Sequence, residues 1–248
     1  MSKELFQAPY VMSGQFTPEN CALVLIDHQV GTLEFVHTMS PETSLKNAVT
    51  LAKAATAYGM PIVMTTSQED HAQGPTAPAL QEAVPDAYKN RVKRTGIVNA
   101  WADPNFSDAV RATGRKKLIM AAVTTDICLV FPAISAVQEG FDVLAVLDAS
   151  GSGFDVQEDL ARRRMATAGV VLTTTNTAVA ELVQDWSTPE GMELVKLLVA
   201  TAPMMQPSIA AVHQGSPAGR KYTPVAPKTI TNMQRTRMKS SKVSHPQG

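Results

Sequence analysis

The segment Lys116–Gly140, KKLIMAAVTTDICLVFPAISAVQEG, narrows the choice of fold more than any other part of the chain. Leu118 to Val123 is a continuous apolar run, too short for a surface helix and preceded by two lysines, and it reads as a strand buried on both faces. Strands of that kind belong to parallel sheets covered by helices. Thr124, Thr125 and Asp126 then offer short capping side chains, and Leu129, Phe131, Ile134, Ala136 and Val137 mark the apolar positions of a following helix, with Pro132 tolerated in its first turn. Cys128 is therefore expected at a helix N-terminus beyond the carboxyl end of a buried strand. Backbone N–H groups and the helix dipole there would lower a thiol pKa from its usual value of about 8.5. The competing reading is a small buried cysteine with no chemistry.

The same punctuation recurs along the chain. Ala22–Ile26 is a short apolar run ending at Asp27, and Thr43 to Tyr58 has helical spacing closed by Gly59 before a strand at Pro61–Thr65. Thr113-Gly114, Glu139-Gly140 and Ala168-Gly169 likewise precede the apolar runs LIMAAV, FDVLAVLDAS and VVLTTT. Repeated helix-Gly-strand junctions, joined by right-handed crossovers, predict a Rossmann-like α/β fold in three αβα layers, with a six-stranded, mainly parallel sheet in the order 3-2-1-4-5-6. Ser67 to Pro85 is long for a loop and is a candidate cover for a site. Lys93 to Trp101 reads as a weaker third strand running into a loop, and Asp103 to Thr113 as a helix. Asp155 to Ala168 is a helix whose Arg162, Arg163 and Arg164 read as a solvated face or an oligomer contact. Helical patterns follow at Thr177–Trp186 and Pro189–Ala202. Gly151-Ser152-Gly153 lacks a dinucleotide fingerprint and reads as a flexible loop.

The length of 248 residues fits one α/β domain, residues 1–204, plus an extension, residues 205–248. Two cysteines, Cys21 and Cys128, are too few for a disulfide framework and point to a reducing compartment. With no signal-peptide pattern and no apolar run of spanning length, a soluble, cytoplasmic protein without membrane contact is expected. Formal charge is balanced at 22 bases and 22 acids, but seven Lys and Arg and no acid follow Met205. That basic tail, with its prolines, is expected to be disordered or to lie as an arm on a neighbouring subunit. Its dispersed charges lack interleaved aromatics, so nucleic acid is not an expected partner.

In an open parallel sheet, sites form beyond the carboxyl ends of strands where strand order reverses. Asp27, Arg94 and Cys128 follow the first, third and fourth strands, and the order 3-2-1-4-5-6 would set the acid and the thiol on either side of the switch point. The pieces Leu25-Ile26-Asp27-His28-Gln29, Ala122-Val123-Thr124-Thr125-Asp126-Ile127-Cys128 and Asp148-Ala149-Ser150 occur in the order found in the isochorismatase-like cysteine hydrolases, and residues 15 to 187 resemble that superfamily. Asn99-Ala100-Trp101 resembles its metal-free, uncharacterised branch.

That resemblance implies cleavage of a small-molecule amide or related C–N bond. Asp27 would be the general base and Cys128 the nucleophile that forms a thioester. The N–H groups of Thr124 and Cys128 would hold the oxyanion, next to a cis peptide at Val123-Thr124. Where the family usually carries a lysine, this chain has Arg94 with Lys93 beside it. Arg94 has the better spacing to Asn99-Ala100-Trp101, and neighbouring strand residues face opposite sides. Arginine stays protonated and could stabilise charge without shuttling a proton. Trp101 and Phe35 are candidate pocket aromatics.

The metal-binding branch uses an Asp and closely spaced histidines after the second strand. Here only His71 stands there, beside Asp70, so neither a metal nor any other cofactor is expected. The resemblance also implies a homo-oligomer, a tetramer or octamer. Two alternatives use the same fold: a catalytically weak oligomeric binding or scaffold protein, and a redox-sensing thiol protein.

Overall fold

The computed structural model describes residues 15–201; residues 1–14 and 202–248, the basic tail among them, lie outside that range. Six strands, β1 (Cys21–Ile26), β2 (Ile62–Ser67), β3 (Val92–Arg94), β4 (Lys117–Ala122), β5 (Asp142–Val146) and β6 (Val171–Thr173), form one sheet in the order β3-β2-β1-β4-β5-β6. Every pairing is parallel. The sheet expected to be mainly parallel is thus wholly parallel, and strand order reverses between β1 and β4.

The central strands read as continuous apolar runs because both of their faces are covered. Alternate residues of β1 serve different cores: Leu23 and Leu25 pack with Ala48, Leu51 and Ala55 of α2 (Pro41–Ala57). Ala22, Val24 and Ile26 pack on the other face with Phe106 and Val110 of α5 (Pro104–Ala112), Val130 and Ala133 of α6 (Val130–Gln138), and Met165 of α7 (Asp155–Thr167). Helices α8 (Thr175–Val183) and α9 (Pro189–Thr201) join α2 on the first face through Val179, Leu182, Leu194 and Leu198. Cys21 belongs to this packing: burial pushes its thiol up to about 12, which keeps it inert. No helix among the described residues is long and apolar enough to cross a membrane.

Two local expectations change. β3 stops at Arg94, where the chain turns so that Gln68 N–H can donate to the Arg94 carbonyl. The long segment after β2 is not simply a loop, since Pro78 and Pro85 each open a short helix, α3 (Pro78–Ala83) and α4 (Pro85–Lys89). Of the three arginines of α7, Arg162 and Arg163 pair with Glu158 and Asp159 one turn back, while Arg164 lies over the Phe131 ring at 5.2 Å.

The rest of that segment is stitched to the short helix α1 (Val30–Leu33) and the residues before it. Ala77 N–H donates to the His28 carbonyl, Val30 N–H to Pro75 and Gly31 N–H to Gln73. A Cβ on Gly31 would lie 1.8 Å from the Ala72 carbonyl oxygen, so the approach requires glycine. The buried Gln29 carboxamide adds three links: Nε2 donates to the carbonyls of Ser67 (2.9 Å) and Gly74 (2.5 Å), and Oε1 accepts from Ser67 N–H (2.8 Å).

Candidate active site

The ends of β1 and β4 meet where strand order reverses, and Arg94 reaches the same place from the end of edge strand β3. Just past β1, Asp27 adopts a left-handed φ of 57°, which costs a residue with a Cβ about 1–2 kcal/mol. The surroundings impose that conformation. Asp27 N–H donates to Thr65 O (3.0 Å), and its own carbonyl accepts from Gln29 N–H (2.7 Å) and from Thr32 Oγ1 (2.5 Å).

β3 supplies Arg94 to the same place. Lys93 points away, 64% exposed and 3.2 Å from the Glu69 carboxylate, whereas the Arg94 residue is only 4% exposed. Arg94 Nη2 donates to both Asp27 carboxylate oxygens at 2.5 Å, Nε to Thr65 Oγ1 at 3.0 Å, and Nη1 to the Ile97 carbonyl at 2.6 Å. The guanidinium is therefore fixed along its length. Burial raises the Asp27 pKa above its ordinary 3.8, and Arg94 opposes that rise without cancelling it.

After β4 the Val123–Thr124 peptide is cis. The chain then enters a π-helical turn, Thr125–Leu129, in which Leu129 N–H bonds back to Thr124 O, before α6 begins at Val130. In a turn that bonds five residues back, the N–H groups of Ile127 and Cys128 have no acceptor within the turn. Thr125 anchors it: its N–H donates to Gly151 O (2.8 Å) and its Oγ1 accepts from Gly151 N–H (2.7 Å). Gly151 has a φ of 113°, and a Cβ there would sit 2.7 Å from Val36 Cγ1, so this anchor also requires glycine.

The half-buried Cys128 thiol is within hydrogen-bonding reach of the Asp27 carboxylate, and the Thr124 backbone N–H also bonds the sulfur. Its environment corrects the expectation of a lowered thiol pKa. Burial first and the neighbouring carboxylate second hold the thiol protonated well above the usual range, and the Thr124 amide and Arg94 oppose them only in part. Cys128 also belongs to a π turn and not to the first turn of an α-helix, so the dipole argument made from sequence overstated the help available.

Asp27, Arg94 and Cys128 line one cavity of about 250 Å³ together with Thr32, Gln68 and Gln73. Sequence reasoning missed those last three. Gln68 and Gln73 sit in the segment expected to cover a site, but nothing in their spacing marks them. A second cavity, of about 470 Å³, lies beside the first and is walled by Phe35, Thr124, Ile127 and Phe154; Ile127 borders both. Thr124 and Phe35 thus sit in the adjoining space. Trp101 is placed elsewhere, in the core: its ring packs edge-on against Phe106 and Phe141, and Nε1–H donates to Glu139 at 2.8 Å. His71 is exposed. Among the described residues, no three His, Cys, Asp or Glu side chains are gathered as metal ligands would be.

His28, next to Asp27, is buried with Nε2 2.9 Å from the Ala149 carbonyl and no partner at Nδ1. Burial lowers its pKa to about 4 from 6.5. The unfolded chain therefore binds a proton between those values that the folded chain refuses. Stability from this group is complete above pH 6.5 and is lost as pH falls to about 4, by on the order of 3 kcal/mol. Urea unfolding of wild type and His28→Gln at pH 7.5 and 4.5 should show a smaller acid loss in the variant; equal losses would contradict the assignment.

The isochorismatase domain model matches residues 21–177, from the first residue of β1 to the start of α8. "Probable hydrolase YcaC" of Escherichia coli strain K12 is 39% identical over 178 residues, covering 72% of this chain and 83% of that protein. YcaC from Pseudomonas aeruginosa, solved with hexane-2,5-diol and covalent acrylamide, matches the fold with a TM-score of 0.75 at 37% identity, over 82% of this chain and 99% of that chain. The E. coli YcaC gene product, described as an octameric hydrolase of unknown specificity, gives a TM-score of 0.75 at 35% identity, over 82% and 98%. Since the matched residues include all six strands and the three strand ends that form the cavity, this chain belongs to the isochorismatase family.

Proposed function

We propose that this protein is a hydrolase of small-molecule amides or related C–N bonds that works through a Cys128 thioester. The observation that carries the reading is the buried Asp27–Arg94 pair set against the Cys128 thiol in one cavity. The thiol begins protonated, so its proton passes to Asp27 as the sulfur attacks the carbonyl carbon; a carboxylate whose pKa is raised by burial is the better acceptor. The Sγ–C bond forms, negative charge develops on the carbonyl oxygen, and the N–H groups of Thr124 and Cys128 stabilise it. As the C–N bond breaks, Asp27 returns the proton to the leaving nitrogen. Water then attacks the thioester, giving one proton to Asp27; the carboxylic acid departs and the sulfur recovers its proton. Arg94 remains charged throughout and orients Asp27.

The relatives support hydrolysis in general, and the acrylamide bound covalently to the P. aeruginosa protein agrees with nucleophilic chemistry on this fold. The octamer described for the E. coli protein favours a homo-oligomer here too. A redox-sensing role is disfavoured, because a thiol held protonated by burial reacts slowly with peroxide. The test is ammonia release from a panel of primary amides, with intact mass recorded after acid quench. Release accompanied by an acyl adduct on Cys128, both lost in Cys128→Ala, is the expected result. Release that survives Cys128→Ala would refute the thioester, and no release from any amide would refute the amidase.

A further inference from the structure

We propose that the 470 Å³ cavity beside the cysteine cleft is the acyl side of the site, and that the substrates are primary or short N-alkyl amides of uncharged, apolar acids carrying an aryl or branched alkyl group. This rests on the roles given above to Asp27 and Cys128. A carbonyl attacked by Cys128 has two substituents that must leave the sulfur in different directions. The nitrogen has to receive its proton from Asp27, so it lies in the 250 Å³ cleft, where Gln68 and Gln73 offer polar contacts. The oxygen turns to the Thr124 and Cys128 N–H groups. The acyl group is left the remaining direction, past Ile127, the residue that borders both cavities.

What lies there is larger and more apolar than the amine side. Phe35, Ile127 and Phe154 form its walls, with Gln157 and Asp126 among its polar groups and no Lys or Arg among the described lining residues. An apolar wall of this size, within the range of about 300–1,000 Å³ typical of small-molecule sites, rewards a bulky apolar acyl group. Asp126, with no Lys or Arg and only the His37 imidazole among the basic groups of the lining, disfavours an acyl chain bearing a second carboxylate.

The experiment compares kcat/KM for phenylacetamide, acetamide and succinamate in the full chain, by ammonia release, and repeats the comparison in Phe35→Ala and Phe154→Ala. These side chains belong to residues 60% and 68% exposed, so truncation leaves the core intact. The expected result is a preference for phenylacetamide over acetamide of at least about tenfold, with succinamate the poorest of the three. The phenylacetamide-to-acetamide ratio should fall severalfold in each variant. A flat or reversed ratio with Cys128-dependent turnover would overturn the acyl assignment and leave the amidase standing. The same ratio in wild type and variants, with size-exclusion showing a dissociated oligomer in the variants, would assign the two phenylalanines to a subunit contact and overturn the proposal. No release from any of the three and no adduct on Cys128 would remove both readings.

Discussion

Asp27→Asn is expected to slow amide hydrolysis by about 100- to 10,000-fold, the range for loss of a positioned acid–base group, while making Cys128 alkylate faster with iodoacetamide near pH 8. The two effects have opposite signs for one reason. In the wild type the Asp27 carboxylate is the second-largest cause of the raised thiol pKa, after burial itself. An amide in its place removes that repulsion and leaves Arg94 to favour the thiolate, so the thiolate fraction at a given pH increases. Hydrolysis nevertheless falls, because an asparagine can neither accept the thiol proton nor return it to the leaving nitrogen. Alkylation-rate profiles from pH 6 to 10 and ammonia release at pH 7.5 test both halves. If Asp27→Asn slowed both reactions equally, Asp27 would be acting on cleft structure and not as the base.

Arg94→Ala should lower the unfolding free energy by about 3–5 kcal/mol at neutral pH, as expected when one member of a buried ion pair is removed. Four hydrogen bonds go together: both Asp27 oxygens, the Thr65 hydroxyl and the Ile97 carbonyl lose their donor. The loss is also pH-dependent. Burial already raises the folded-state pKa of Asp27 above 3.8, and without Arg94 nothing named in its surroundings but the Cys128 thiol opposes that rise. A carboxyl whose folded pKa is raised contributes its full stability below the unfolded value and loses it as pH climbs through the folded one. The variant should therefore be closest to wild type near pH 4 and furthest from it above neutrality, as urea unfolding at several pH values would show. Arg94→Lys should recover part of the ion pair but not the contacts to Thr65 and Ile97, because a point charge lacks the guanidinium's fork. A uniform deficit at every pH would mean that packing, not charge, holds this residue.

The parallel sheet was legible because β1, β4 and β5 are short apolar runs that only a sheet buried on both faces accepts, and because Gly59, Gly114, Gly140 and Gly169, all with positive φ, end helices just before strands; its order came with the expected fold class and not from these residues. Strand order also set Asp27 and Cys128 on either side of the switch point, whereas Arg94 was expected from the family resemblance, and from edge strand β3 it reaches Asp27 only through its long side chain. The electrostatic state of the cysteine was harder to read. A helix N-terminus is a local signal, whereas the desolvation of Cys128 and the carboxylate beside it depend on packing between distant segments. Trp101 misled for a related reason: an aromatic after a strand can face a cleft or the core, and only the placement of Phe106, Phe141 and Glu139 decides between them. The π turn leaves no mark in composition, because it differs from an α turn only in which carbonyl each N–H selects.

The Gln29 carboxamide, with its one acceptor on Ser67 N–H and its donor on the Ser67 and Gly74 carbonyls, stands in for a peptide unit of a strand the sheet does not possess. The wall carrying Gln68 and Gln73 is thereby fastened by this side chain and by scattered backbone bonds to His28, Val30, Gly31 and Arg94, not by strand pairing along its length. Such an attachment separates inheritance of the scaffold from inheritance of selectivity. The exposed Asp70 and His71 can be exchanged on that mooring while the strand ends that hold the reacting groups keep their places.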